Sequence, residues 1–180
     1  MLKILVIFSI FFALVSQYFT SEVKANTNYD YLLHINDRFD KHPIHLNNYQ
    51  YRGYWAEQGS LLKKAASTAL PNSALCEKGN YGNLVVSVDP YVFYNPLMTT
   101  FYGTLTAKIY NQDGKPIKKI KVEDELIGRV NILYEIPIKK LYNKLLLELD
   151  KQIKNDSDIN LQRDDITSQG IEGSFCQILD

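Results

Sequence analysis

The stretch Thr104-Leu105-Thr106-Ala107-Lys108-Ile109-Tyr110-Asn111-Gln112-Asp113-Gly114-Lys115-Pro116-Ile117 decides the fold. It continues an alternating run from Thr99, in which Phe101, Gly103, Leu105, Ala107 and Ile109 share one face and Tyr102, Thr104, Thr106, Lys108 and Tyr110 share the other. That period of two is the pattern of a pleated strand with one side buried. Asn111 to Gly114 reads as a hairpin turn, because Gly114 can take the positive φ that a tight turn requires. A return strand is predicted from Pro116 to Glu123. Its Lys118, Lys119 and Lys121 surround Ile117, Ile120 and Val122, which suits a partly solvated strand that repels edge-to-edge pairing better than an anion-binding patch.

Upstream, Leu84-Val85-Val86-Ser87-Val88 is nearly continuous in β-branched residues and reads as a central strand. Asp89-Pro90 and Asn95-Pro96 bracket Tyr91-Val92-Phe93-Tyr94, and each proline removes a ladder donor, so an edge, bulge or turn is predicted there. Ser60 stands as a helix N-cap before Leu61 to Leu70, with Leu61, Leu62, Ala65, Ala66 and Ala69 on one side and Pro71 as the stop. Tyr49 to Ala56 alternates and is expected to be the first strand. Residues 26–48 read as an irregular lead-in, although Tyr31 to Ile35 resembles a strand. Downstream, Pro137 opens a long amphipathic helix carrying Ile138, Leu141, Tyr142, Leu145, Leu149 and Ile153 at three- and four-residue steps. A polar tail, residues 155–180, follows. The predicted fold is α+β, a single domain over residues 49–154, with a mostly antiparallel sheet of about four strands and two helices packed on one face.

Composition sets the class. The 20 Lys plus Arg balance 20 Asp plus Glu, which excludes a simple electrostatic binder of nucleic acid. Lys3, the apolar run Ile4 to Val15 and the return of polarity at Ser16 read as a secretory signal peptide over residues 1–25, cut after Ala25. The apolar run of about 12 residues falls short of the roughly 20 that cross a bilayer, so no permanent span is expected in the mature chain. No cysteine follows the run to accept a lipid. The expected location is therefore periplasmic, soluble and not lipidated, and the expected state is a monomer. Cys76 and Cys176 are the only cysteines and are predicted to join, since an oxidising compartment permits it; two separate buried thiols are the alternative.

Reactive chemistry is thinly represented. No nucleophile elbow, phosphate loop, dinucleotide-binding motif or H-E-x-x-H occurs. His34, His42 and His45 lie in the lead-in, with Asp37 and Asp40 nearby, but Pro43 argues against a helix that would align two imidazoles, and no metal or cofactor is expected. Glu123, Asp124 and Glu125 could supply paired carboxylates for glycoside cleavage, though three acids at a strand end suit a solvated turn better. The residues singled out for binding are Tyr91, Phe93, Tyr94, Asn95 and Tyr102, because aromatics with polar handles are favoured where one side packs and the other is wet.

The succession from Ser60 to Lys154, carried by Leu84 to Val88, Thr104 to Ile117 and the Pro137 helix, resembles the small domain shared by the TolB amino-terminal region, the synthase activator LpoB and PqiC-like auxiliary lipoproteins. With the leader and a composition rich in Lys, Asn and Tyr, the chain is similar more narrowly to the Francisella virulence factor A type of periplasmic protein. That resemblance implies a non-catalytic role in envelope integrity and virulence, with envelope or peptidoglycan-synthesis proteins as partners. The auxiliary lipoproteins carry a lipidated cysteine that this chain lacks, so their tethering does not transfer. Two rival functions remain: an exported cell-wall hydrolase, and a small-ligand carrier holding lipid between helices and sheet.

Overall fold

The computed structural model describes residues 28–48, 51–164 and 170–179. The signal peptide assigned to residues 1–25, with its cleavage site, lies outside them, as do Tyr49 and Gln50 of the expected first strand. In chain order the elements are β1 (Asn28–Tyr29), β2 (Tyr31–His34), α1 (Arg38–Lys41), β3 (Ile44–Asn48), β4 (Tyr51–Ala56), α2 (Gln58–Ala69), β5 (Ser73–Leu75) and β6 (Tyr81–Gly82). Then follow β7 (Val85–Asn95), β8 (Thr100–Tyr110), β9 (Pro116–Ile127), α3 (Glu135–Asn155), α4 (Ser157–Asp164), β10 (Ile171–Glu172) and a 3₁₀ segment (Gly173–Ile178).

The predicted hairpin is the spine of the molecule. β8 pairs antiparallel with β9, and Gly114 closes the turn with φ of 73°. Asn111 Oδ1 accepts the N–H groups of Asp113 at 3.1 Å and Lys115 at 2.9 Å, which holds the turn together. β9 continues to Ile127, beyond the predicted end at Glu123.

The class is α+β as expected, but the main sheet has five strands, not about four, and adds a parallel part to its antiparallel one. Five strands run in the order β5-β2-β7-β8-β9, with β5, β2 and β7 mutually parallel, and two small sheets, β1-β6-β10 and β3-β4, stand apart. Residues 26–48 are therefore not an irregular lead-in over their described part. Tyr31, Leu32, Leu33 and His34 are all buried in β2, so the strand has no polar alternation to betray it. Tyr51–Ala56 forms a strand, but it pairs with β3 and not with the main sheet.

β7 runs straight through Pro90, pairing with β8 from Val85↔Tyr110 to Asn95↔Thr100. β2 covers its other edge only at Val85, Val86 and Ser87. Beyond them the Val92 N–H turns to that free edge and donates to Gln58 Oε1 at 3.0 Å. Pro90, two residues earlier, faces the same edge, where no ladder donor is required. The edge reading of Tyr91 to Tyr94 thus holds on one side, within a strand.

α2 and α3 pack against each other and on one sheet face, as expected. α2 begins at Gln58, so Ser60 lies inside its first turn and is not the N-cap. Pro137 is the third residue of α3, a place that tolerates its missing donor, and Leu146 joins the predicted buried set. A Cβ on Gly103 would stand 2.8 Å from Leu141 Cδ2 and from Leu145 Cδ1, so glycine is what lets α3 lie directly on β8. Burial, reinforced by Asp150, raises the Tyr31 phenol well above its ordinary pKa, and its O–H donates to Asp150 Oδ1 at 3.0 Å, tying β2 to α3. The C-terminal region is not merely a polar tail. α4 buries Ile159, and the Cys76–Cys176 disulfide, with Cα atoms 6.0 Å apart, pins the 3₁₀ segment beside Leu32, Val85 and Ile171.

Candidate binding surface

Because side chains alternate, the meander β7-β8-β9 presents its other face away from α2 and α3. Cys176, Ile171 and Phe175 pack over one end of it, at Val85 and Tyr110. The rest is bare. Its cross-strand rows are Asp89, Thr106 and Lys121; Tyr91, Thr104 and Glu123; and Phe93, Tyr102 and Glu125. Tyr91 is 58% exposed and Phe93 49%. The Phe93 and Tyr102 rings stack with centroids 6.3 Å apart, and the Tyr102 O–H reaches Met98 Sδ at 3.5 Å. Three of the residues chosen from sequence, Tyr91, Phe93 and Tyr102, are thus brought together on a water-facing sheet.

The other two are not part of that surface. Tyr94 has the parity of Val86, Val88 and Val92; it is buried, and its ring lies 4.7 Å from that of Phe101 inside the core. Asn95 shapes the turn, since its Oδ1 accepts the N–H groups of Leu97 at 3.0 Å and Met98 at 3.2 Å.

The residues set aside for hydrolysis or metal binding are dispersed. Glu123, Asp124 and Glu125 lie within β9, not in a turn, so Asp124 points to the opposite face from its two neighbours. There Lys144 Nζ donates to Asp124 at 2.9 Å and holds that carboxyl below its ordinary pKa; Lys121 does the same for Glu123. A general acid needs its pKa raised, the opposite direction. Asp37 and Asp40 both engage Lys63 Nζ, at 3.6 and 2.9 Å. His45 packs on Trp55 with ring centroids 4.8 Å apart, while His34 lies in another sheet with Nδ1 3.2 Å from Ser87 Oγ. Between α3 and β8, where a carried ligand would sit, Leu141 and Leu145 already close on Gly103.

Sequence reasoning missed a second exposed feature. Leu97, Met98, Ile132 and Leu133 are large apolar residues open to water in turns. Their signal was two apolar residues in succession between strand and helix patterns.

No family model and no curated protein matches the chain. Among solved structures it is similar to a Xanthomonas campestris protein of family DUF330, at 12% identity over 80% of this chain and 91% of that one, TM-score 0.45. A candidate lipoprotein from Caulobacter crescentus is similar at 10% identity over 77% of this chain and 94% of that one, TM-score 0.39. Dodecameric PelC from Paraburkholderia phytofirmans matches at 12% identity over 67% and 86%, TM-score 0.39. Likenesses this distant leave the functional reading to the residues of this chain. Fold and surface together define an α+β domain with a mixed sheet, helices on one face and an aromatic patch on the other. No helix among the described residues is long and apolar enough to cross a membrane.

Proposed function

We propose that the chain is a non-catalytic accessory protein of the periplasm, supporting envelope integrity and virulence by binding an envelope protein or peptidoglycan-linked machinery. The observation that carries the reading is the aromatic patch: Tyr91 and Phe93 stand half-exposed in register with Thr104 and Tyr102 on the sheet face opposite α2 and α3. Rigid aromatics on a strand scaffold lose little conformational freedom on binding and supply much contact area. The leader read from residues 1–25, the disulfide and the resemblance to the Francisella virulence factor A type support the compartment and the role.

The test places a photo-crosslinking amino acid at Tyr91 in living cells. Adducts to an envelope protein are expected, and Phe93→Ser with Tyr102→Ser should abolish both the adduct and the resistance of the cells to detergent while leaving thermal unfolding unchanged. For the hydrolase alternative, Glu123→Gln, Asp124→Asn and Glu125→Gln together should leave that resistance intact. Loss of resistance in this acid variant, with the adduct retained, would favour an enzyme instead.

A further inference from the structure

Large apolar side chains open to water gather at the end of the molecule opposite the disulfide. β7 starts at Val85 beside the Cys176 cluster and ends at Asn95, whose register with Thr100 and then Ile127 sets the Leu97-Met98 turn next to the end of β9. Leu97 is 80% exposed, Met98 61% and Ile127 79%. The Gly128 N–H donates to the Thr99 carbonyl at 2.8 Å, so the loop into α3 leaves from the same end, carrying Ile132 and Leu133. The Tyr134 O–H donates to the Trp55 carbonyl at 2.9 Å and its ring lies 5.3 Å from that of Tyr54, which sets the end of β4 beside this loop; the Trp55 ring, 62% exposed, packs on His45. Leu97 and Met98 stand on one turn, Ile132 and Leu133 on another, and Ile127 at the end of β9.

Cations flank them. Ile136, one turn further, lines a groove of about 470 Å³ between α2 and α3, together with Lys64, Lys139, Lys140 and Asn143. Arg129 lies in the loop itself. Lys63, Lys118, Lys121, Lys144 and Lys154 each hold a carboxylate, but no ion pair among the described residues involves Lys64, Lys139, Lys140 or Arg129. The acids near Tyr134 are Glu57 and Glu135, both exposed.

We infer that this end docks on an anionic lipid bilayer, with Leu97, Met98, Ile127, Ile132 and Leu133 entering the acyl boundary and Lys64, Lys139, Lys140 and Arg129 meeting headgroup phosphates. Apolar tips flanked by cations match the polarity gradient of an interface, where apolar side chains enter the acyl boundary and unpaired cations gain from the negative surface. A protein partner would be met by a continuous packed patch, which side chains on separate turns do not offer.

Trp55 is the only tryptophan, is 62% exposed and is bonded through its carbonyl to Tyr134, so its emission reports a change of environment beside this loop. β1 begins at the other end, beside β6 and β10, which separates this signal from attachment through residues 1–25. The full-length protein is titrated with vesicles of phosphatidylglycerol and phosphatidylethanolamine, or of phosphatidylcholine alone, with brominated acyl chains. A blue shift and bromine quenching are expected on the anionic vesicles. Each cation near such a surface is worth about fivefold in partitioning, so Lys139→Glu with Lys140→Glu should weaken the response by roughly 25-fold or more. Ile132→Ser with Leu133→Ser should abolish it, and both variants should keep the wild-type melting curve because the residues changed make no core contact. The inference is overturned by sedimentation with vesicles but no Trp55 response, by an equal response to both vesicle types, or by a blue shift that depends on protein concentration without lipid. The last would mean that a second copy covers this end.

Discussion

Gln58 Oε1 accepts the backbone N–H of Val92 at 3.0 Å, giving the free edge of β7 a partner from the first residue of α2. The same oxygen accepts the Tyr142 O–H at 3.3 Å, so one buried side chain joins α2, β7 and α3. Gln58→Ala should destabilise the protein by about 1–3 kcal/mol in urea unfolding, because the Val92 N–H and the Tyr142 O–H lose their acceptor. Tyr142→Phe should cost less. The double variant should lose less than the sum of the two, since both act through one oxygen.

Gly103 is the point of closest approach of α3 to β8. Gly103→Ala would drive a methyl to 2.8 Å from Leu141 and Leu145 side chains and should cost about 1–3 kcal/mol through overpacking. Combined with Leu141→Ala, itself costly in the core, the total loss should be smaller than the sum of the two, because the shortened side chain makes room for the methyl. Unfolding midpoints of the two single variants and the double decide it, and strict additivity would contradict the packing account.

The Cys76–Cys176 bridge spans a sequence separation of 100, for which the chain-entropy relation gives about 4.7 kcal/mol. Reduction, or Cys176→Ser, should lower stability by about 2–5 kcal/mol. Hydrogen exchange should quicken first in β10 and the 3₁₀ segment, which the bridge holds against Leu32 and Val85. Alkylation followed by intact mass measurement should find both thiols only after reduction.

Acid should destabilise the fold through its paired carboxylates. The hydrogen bond from Lys144 holds Asp124 below its ordinary pKa, and that from Lys118 does the same for Asp156. A depressed folded pKa gives stability that is fully present above the unfolded value of about 3.9 and is lost as pH falls through the folded value. Unfolding free energy should therefore be level near neutrality and decline below about pH 4. Asp124→Asn with Asp156→Asn should flatten that decline, as read from urea midpoints between pH 2 and 7.

Much of what depends on neighbouring residues is legible in the sequence, although the exact ends of α2 and β9 are not. The alternation of Phe101 to Ile109, the Gly114 turn and the buried stripes of α2 and α3 depend on residues a few positions apart, and a period of two or of three to four records them directly. That Tyr91, Phe93 and Tyr102 share one sheet face was legible for the same reason. Tyr94, selected by side-chain type and not by strand parity, does not share that face, because parity puts it with Val92.

The sequence by itself determined the hairpin, the helical stripes, the neutral charge and the cysteine pair available for a bridge. Only the tertiary structure decided where Tyr31–His34 goes, since a four-residue strand buried on both faces carries no period and its partners β5 and β7 lie far along the chain. Tertiary structure also decided which sheet face α2 and α3 leave open and that Leu97, Ile127 and Ile132 lie at one end. Such proximities arise from strand register and helix docking, where residues remote in sequence are brought together by burial of the core between them.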